Sequence, residues 1–202
     1  AFDTTADDAG QKMATWRTAF RLTQQDVKGL ADQINYLGNN GPANALAISN
    51  VVTRVGALGE VAGLSAGQIA ALGSTVVGMG VEEEIAATGI KNTMLALTKG
   101  EAATKSQKAA YAALGLEASA MAKRMQTDAG GAIVDVMSRI SKLSKEKQTS
   151  ILTQLFGSES VSAIAPMLNN LELLETNLKR VGDATLYSGS MQKEYEGRAA
   201  TT

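Results

Sequence analysis

The apolar residues of this chain recur at helical spacing, in short runs that stop and restart. The first two runs place apolar side chains three or four residues apart, at Ala9, Met13, Trp16 and Phe20 and then at Val27, Leu30, Ile34 and Leu37. Such spacing is typical of amphipathic helices that bury one face, and the runs extend over roughly 8 to 18 residues. We therefore predict an all-α protein of about ten short helices and no sheet. The helices are expected to pack as an irregular array, either compact or elongated.

The segment from Asp32 to Gly73 is the most informative part of this pattern. Its first helical run stops in the loop Gly38–Pro42, and a second run begins just after it, since proline fits the first turn of a helix. Glycines then occupy positions 56, 59, 63, 67 and 73. A glycine inside a helix costs about 1 kcal/mol relative to alanine. We therefore expect these glycines to mark turns or close contacts between helices.

Four small residues in this segment form the candidate functional site. Gly59, Gly63, Gly67 and Ala71 stand at i, i+4 spacing, which would align them as a ridge on one helix. The stretch Val61–Val81 carries no charge, and about 20 such residues suffice to cross a bilayer. Its five glycines and several polar residues leave it poorly hydrophobic. We predict a ridge for close helix packing, with membrane contact as the alternative.

Polar residues at the starts of the runs predict where helices begin. Thr5 and Thr23 each precede an aspartate by three residues, the spacing of an N-cap followed by an acidic first turn. Ser65, Asp128 and Ser144 stand in the same position before later apolar runs. All five residues are predicted N-caps.

The amino-acid composition excludes most common kinds of catalytic site. Histidine and cysteine are both absent, which excludes Ser-His and Cys-His nucleophile pairs and nearly all zinc sites. The consecutive Glu82, Glu83 and Glu84 splay around a helix, so they suit its positive N-terminal end better than they suit a shared metal or proton. No phosphate-binding loop or nucleotide fingerprint is present. We predict no enzyme activity, cofactor or metal, although carboxylate, lysine or tyrosine chemistry stays open.

The charge balance argues against nucleic acid as a specific partner. The formal net charge is −1 over 202 residues. A mild concentration of basic residues occurs at Arg139, Lys142, Lys145 and Lys147. Because the chain has no overall positive field, we interpret this cluster as a solvated helix end and predict no specific nucleic-acid binding.

The length suits one domain or two small ones. We predict a helical core region with glycine-punctuated hairpins over residues 1–100 and a second helical region, continuous with it or separate, over residues 101–202. The first residue is alanine rather than methionine, so we expect a fragment of a longer chain.

Several stretches together resemble one family of proteins. They are residues 1–20, 31–81, 151–184 and 187–202, and they carry an Asn-Tyr-Leu pattern, a Leu-Phe-Gly-Ser-Glu turn and a Ser-Met-x-x-Glu-Tyr ending. This combination resembles the tail tape-measure proteins of long-tailed bacteriophages and prophages, with residues 31–81 similar to the conserved core.

The resemblance implies a structural virion protein rather than an enzyme. Such proteins lie along the lumen of the tail tube, set tail length during assembly in the host cytoplasm, and leave ahead of the genome at infection. The implied partners are the tube, the tip or baseplate, assembly chaperones and further copies of the same chain. No catalytic residues are carried over.

Two other functions are kept as alternatives. The first is a membrane-active module that aids DNA passage through the host inner membrane, supported by the uncharged stretch Val61–Val81. The second is a carboxylate-based cell-wall hydrolase. A measuring protein needs extended helix at ~1.5 Å per residue, whereas these residues predict short capped helices. Our hypothesis is a compact module that serves assembly contacts or genome delivery.

Overall fold

The computed structural model describes residues 2–201, and all regular structure in that range is helical. In chain order the α-helices are α1 (Ala6–Ala19), α2 (Gln24–Asn40), α3 (Ala45–Val55), α4 (Leu58–Val61), α5 (Ala66–Gly78), α6 (Glu83–Thr98), α7 (Lys105–Ala113), α8 (Ala118–Ser141), α9 (Lys145–Phe156), α10 (Val161–Leu168), α11 (Leu171–Gly182), α12 (Ala184–Tyr187) and α13 (Ser190–Ala200). Short 3₁₀ turns cover Gly100–Ala102 and Ser158–Ser160. The all-α prediction is confirmed, and α4 and α12 are single turns that the pattern did not separate.

Side-chain caps explain where several helices begin. The Thr23 hydroxyl accepts from the backbone N–H of Asp26 at 3.1 Å, and the Asp26 carboxylate in turn accepts from the Thr23 N–H. Ser65 and Gln68 form the same reciprocal capping box at the start of α5. Thr5 likewise accepts from the Asp8 N–H. These predicted N-caps are confirmed, and each satisfies backbone N–H groups that the helix itself leaves free.

The two remaining predicted caps behave differently. Asp128 lies inside α8 with φ −151° and ψ 64°, so the helix breaks there, and its carboxylate accepts from the Gly131 N–H at 3.1 Å. Asp128 therefore caps the second half of a kinked helix, as predicted. Ser144 precedes α9 in extended conformation but makes no side-chain cap hydrogen bond.

Helix α5 lies at the centre of the packing. It contacts α2, α3, α4, α6, α10 and α11, and all its residues from Ala66 to Val76 except Gln68 are buried. One apolar core runs from Phe2 to Val181 and includes side chains from both halves of the chain. The proposed division near residue 100 stays a prediction.

The few large aromatic side chains anchor outer helices to this core. Trp16 of α1 is fully buried, stacks edge-on against Phe2 and donates its indole N–H to the Thr53 hydroxyl of α3 at 2.8 Å. Tyr111 of α7 is also buried and donates to the Ala96 carbonyl at 3.0 Å. Burial raises the pKa of the Tyr111 phenol, so it stays a neutral donor at physiological pH.

Helix α13 is held against α2 mainly by polar contacts. The Asp32 carboxylate of α2 accepts from the backbone N–H groups of Gly189 and Met191, at 3.0 and 2.9 Å. It therefore caps α13 from a position 157 residues away in sequence. Asn35 and Asn39 donate to the Glu194 carboxylate, which also pairs with Arg198. Neither α12 nor α13 has a buried residue, and Met191 is the partly buried side chain of α13 that packs against the core. The hydrogen bonds therefore supply most of the contacts that hold α13.

We expect acid to release α13 before the core unfolds. Burial alone would raise the pKa of the Glu194 carboxyl, but hydrogen bonds from Asn35 and Asn39, with the charge of Arg198, bring it below its ordinary value. A depressed carboxyl pKa contributes docking free energy that is fully present above the ordinary value of about 4.3 and is lost as the pH falls through the lowered pKa. Amide hydrogen exchange in α13, measured relative to α5 between about pH 5 and 2, should show this loss.

Two glutamate variants test the assignment. Glu194→Gln should remove most of the pH dependence of α13 protection. Glu196→Gln, on the exposed side of the same helix, should preserve it. Equal pH profiles in the two variants would show that Glu194 does not control docking.

Candidate functional site: glycine-lined helix contacts

The structure does not bring the four predicted residues into one ridge. Gly59 lies in α4, Gly63 lies in the turn that follows, and only Gly67 and Ala71 share helix α5. The turn exists because Gly63 adopts φ +85°, a left-handed conformation that ends a helix and that side chains other than glycine resist. The i, i+4 spacing therefore crosses a helix break.

Each of the three glycines lies against a different part of the fold. A Cβ atom added at Gly59 would stand closer than 3 Å to the Ile69 side chain, and one at Gly63 would meet the Met125 carbonyl oxygen of α8. One at Gly67 would meet the Gln33 side-chain amide of α2 at 2.6 Å. Real Cβ atoms essentially never approach other atoms so closely. The missing side chains thus permit three separate close contacts around α4 and α5.

The sequence did not predict two further close contacts made by glycines. A Cβ at Gly89 of α6 would stand 2.5 Å from the Ala163 Cβ of α10, and one at Gly78 would stand 2.6 Å from the Pro42 ring. In both pairs a small or rigid residue faces the glycine from far along the chain. The spacing of residues within one helix cannot indicate a contact with a residue on a distant segment of the chain.

Adding a methyl group at Gly89 should reduce the free energy of unfolding. Gly89→Ala must push α6 and α10 apart, which costs about 1–3 kcal/mol, while better helix propensity returns up to about 1 kcal/mol. Gly29→Ala in α2 is the matched control, because its added Cβ meets nothing within 4 Å. The control should gain about 0.5–1 kcal/mol. Urea denaturation of both variants measures the difference, and equal stabilisation would contradict close α6–α10 packing.

Buried polar side chains tie α5 to its neighbours. Asn177 of α11 is fully buried and donates to the Thr75 hydroxyl at 3.0 Å, while its own carbonyl accepts from Arg180 at 3.1 Å. Gln33 of α2 donates to the Val181 carbonyl at 2.9 Å. Among the described residues, the Ser74 hydroxyl is the one fully buried side-chain oxygen or nitrogen without a hydrogen-bond partner. This network fixes the mutual positions of α2, α5 and α11, because each broken bond would leave a buried polar group unpaired.

The predicted basic cluster is partly structural. Arg139 donates to Asp135 at 2.9 Å and to the Leu114 carbonyl at 2.8 Å, and Arg124 binds the other Asp135 oxygen at 2.7 Å. Burial opposes ionisation of Asp135, yet the hydrogen bonds from Arg139 and Arg124 lower its carboxyl pKa overall. Arg139 therefore holds the end of α7 against α8. Lys145 and Lys147, by contrast, are exposed. No grouping of three acidic side chains suited to a metal ion occurs within residues 2–201.

The uncharged stretch is divided between two helices. It covers the end of α4, the Gly63 turn and the whole of α5, which has only 13 residues. None of the helices in the described part of the chain combines the length and apolar character that a bilayer crossing requires.

The fold and these contacts define an all-helical protein module in which glycines and buried polar groups serve helix packing. Residues 1–157 match the model of the phage-related minor tail protein family, and the chain belongs to this family. A "Probable tape measure protein" of Halomonas phage phiHAP-1 is 40% identical over 202 residues, which cover all of this chain and 24% of that relative. The chain thus spans about a quarter of the relative's length. No solved structure matches it.

These matches confirm the tape-measure resemblance seen in the sequence. Membership of this family gives the chain a structural role in the phage tail.

Proposed function

We propose that this chain is a folded module of a tape-measure protein that makes contacts for tail assembly and genome delivery while adding little to the measured length. The observation that carries this proposal is the central position of α5. Six other helices contact α5, and most of its side chains are buried in those contacts. An arrangement of this kind holds the helices side by side rather than end to end.

The dimensions of the module support the same proposal. As one continuous helix, the 202 residues would extend over about 300 Å. A compact domain of this size has a radius of gyration of only about 17 Å. The longest helix, α8, has 24 residues and is kinked at Asp128. Each residue here therefore contributes far less length than a residue of extended helix.

Location and partners follow as part of the proposal. We place the module in the tail-tube lumen after assembly in the host cytoplasm, in contact with the tube, the tip or baseplate, assembly chaperones and further copies of itself. The 40% identity to a probable tape measure protein supports this placement. A membrane-active role has less support, because the apolar side chains of residues 66–76, the main part of the stretch 61–81, are buried inside the module, and Val61 is the only large apolar side chain of the stretch that is largely exposed. A hydrolase role has less support too, since Asp32 and Glu194 hold α13 against α2, and Asp135 pairs with Arg124 and Arg139 within α8.

The test is in-frame removal of residues 1–202 from the full-length protein of a phage that encodes it, with tail lengths measured by electron microscopy. We expect either no assembled tails, or non-infectious particles whose tails are shortened by less than about 50 Å, roughly the diameter of the module. Removal of an equal number of residues from a continuous helical stretch of the same protein is the matched control. That control should shorten tails by about 300 Å.

Two results would overturn the proposal. Tails shortened by about 300 Å on removal of the module would show that it measures length as extended helix. Fully infectious particles would show that it serves neither assembly nor delivery.

A further inference from the structure

A groove lies beside the turn that joins α1 and α2. It has a volume of about 600 Å³, within the range of ordinary ligand sites, and Gly10, Met13, Arg17, Arg21, Leu22 and Val27 contribute to its lining. An added Cβ at Gly10 would meet nothing within 4 Å, so the space above this part of α1 is open. None of the contacts described above uses this groove.

The groove combines an apolar floor with a positive rim. Met13, Leu22 and Val27 are half-buried or buried, whereas Arg17 and Arg21 are exposed. Within the described part of the chain, neither guanidinium makes a hydrogen bond or ion pair. Arginine side chains stay charged at any physiological pH, and their planar donors match the geometry of a carboxylate. Two unpaired arginines beside apolar side chains therefore favour an anionic, partly apolar ligand.

Arg21 occupies a position at which glycine is the usual residue. Helix α1 ends with the Leu22 N–H donating to the Arg17 carbonyl at 3.0 Å, and this helix end requires a left-handed residue in between. Arg21 supplies it with φ +52°, a conformation that costs a non-glycine residue roughly 1–2 kcal/mol. Backbone strain of this kind clusters at functional sites. Here it places Arg21 in the lining of the same groove as Arg17.

We propose that this groove, which we call the α1–α2 groove, docks an acidic amphipathic segment of another protein. The apolar floor would receive leucine-like side chains from one face of a helix, while carboxylates beside them would pair with Arg17 and Arg21. A nucleic-acid strand fits less well, because the rim offers two cations, the floor is apolar, and the net charge of the chain is −1. This surface goes beyond the proposed function and does not depend on whether the module measures length.

The test uses a fluorescent 18-residue helical peptide with leucine at i, i+3, i+4 and i+7 spacing and glutamates flanking that face. Two sister peptides carry glutamine or lysine in place of the glutamates. Fluorescence anisotropy with the whole chain should show saturable binding of the glutamate peptide, at least tenfold weaker binding of the glutamine peptide, and none of the lysine peptide. The affinity should fall as salt is raised.

Four variants locate the binding surface. The double variant Arg17→Gln and Arg21→Gln should weaken binding at least tenfold, while Arg54→Gln, an exposed arginine on α3, should leave the affinity unchanged. The added Cβ of Gly10→Phe meets no atom within 4 Å, and we expect its ring to occupy the groove and weaken binding at least tenfold. Gly197→Phe on α13 is its matched control, since that site is equally open. Circular dichroism spectra that match the parent chain establish that each variant is folded.

Three outcomes would overturn the proposal. One is the absence of saturable binding by the glutamate peptide, and another is binding that survives both the double arginine change and Gly10→Phe. The third is preferential binding of a 20-base-pair DNA duplex that is lost in the double variant, which would assign the arginines to phosphate instead.

Discussion

Gly63→Ala should reduce the free energy of unfolding by about 3–5 kcal/mol, a large part of the roughly 5–15 kcal/mol that stabilises a typical domain. Two independent penalties add at this position. The left-handed φ of +85° disfavours any side chain, and the new methyl group would overlap the Met125 carbonyl and approach the Gln126 backbone. Backbone atoms in a neighbouring helix cannot rotate away as a side chain can. Chemical denaturation monitored by circular dichroism measures the loss.

Gly80→Ala separates the two penalties. Gly80 has nearly the same φ, +88°, but an added Cβ there meets nothing within 4 Å. This variant should lose only the conformational cost of roughly 1–2 kcal/mol. If both variants lose the same amount, the turn at Gly63 does not pack against α8 as described.

Ala71→Glu should prevent the module from folding. Ala71 is fully buried on the central helix α5, and a carboxylate there would have no cationic partner. Burying an unpaired charge costs several kcal/mol, comparable with the whole stability of a typical domain, which is about 5–15 kcal/mol. Neither a cooperative thermal transition nor dispersed amide signals in an NMR spectrum should remain.

Ala120→Glu provides the matched substitution on a surface. Ala120 is exposed in the first turn of α8, where a carboxylate interacts favourably with the helix dipole. This variant should match or slightly exceed the parent in stability. A well-folded Ala71→Glu protein would instead mean that α5 is not the centre of the packing, and it would reopen the membrane-contact interpretation of residues 61–81.

The starts of helices were readable from sequence because their signals are local. Thr23 with Asp26 and Ser65 with Gln68 make hydrogen bonds across three residues, so the chain encodes each bond within one turn. The Ser65 cap even indicated a helix start inside the uncharged stretch. Apolar spacing predicted the all-α class for the same reason, since one helical face depends only on nearby positions.

The four predicted residues do not form a ridge on one helix, because the sequence alone does not specify the backbone conformation of a small residue such as glycine. Gly63 fits a helix and a left-handed turn equally well, and the choice is made by its contact with Met125, 62 residues further along. Gly67 with Gln33 and Gly89 with Ala163 are likewise contacts between residues far apart in the sequence. The α1–α2 groove was missed too, although an arginine at the usual glycine position after a helix was a readable signal.

The ion pair between Asp3 and Arg198, whose atoms lie 3.5 Å apart, has a geometric consequence for the proposed tape-measure module. It places the beginning and the end of the described chain beside each other on the surface. In the longer protein that we propose, the flanking polypeptide would therefore enter and leave the module at nearly one point. Excising the module would leave flanking segments already close enough to be joined, so a change in tail length after its removal would reflect the module itself rather than a gap in the path.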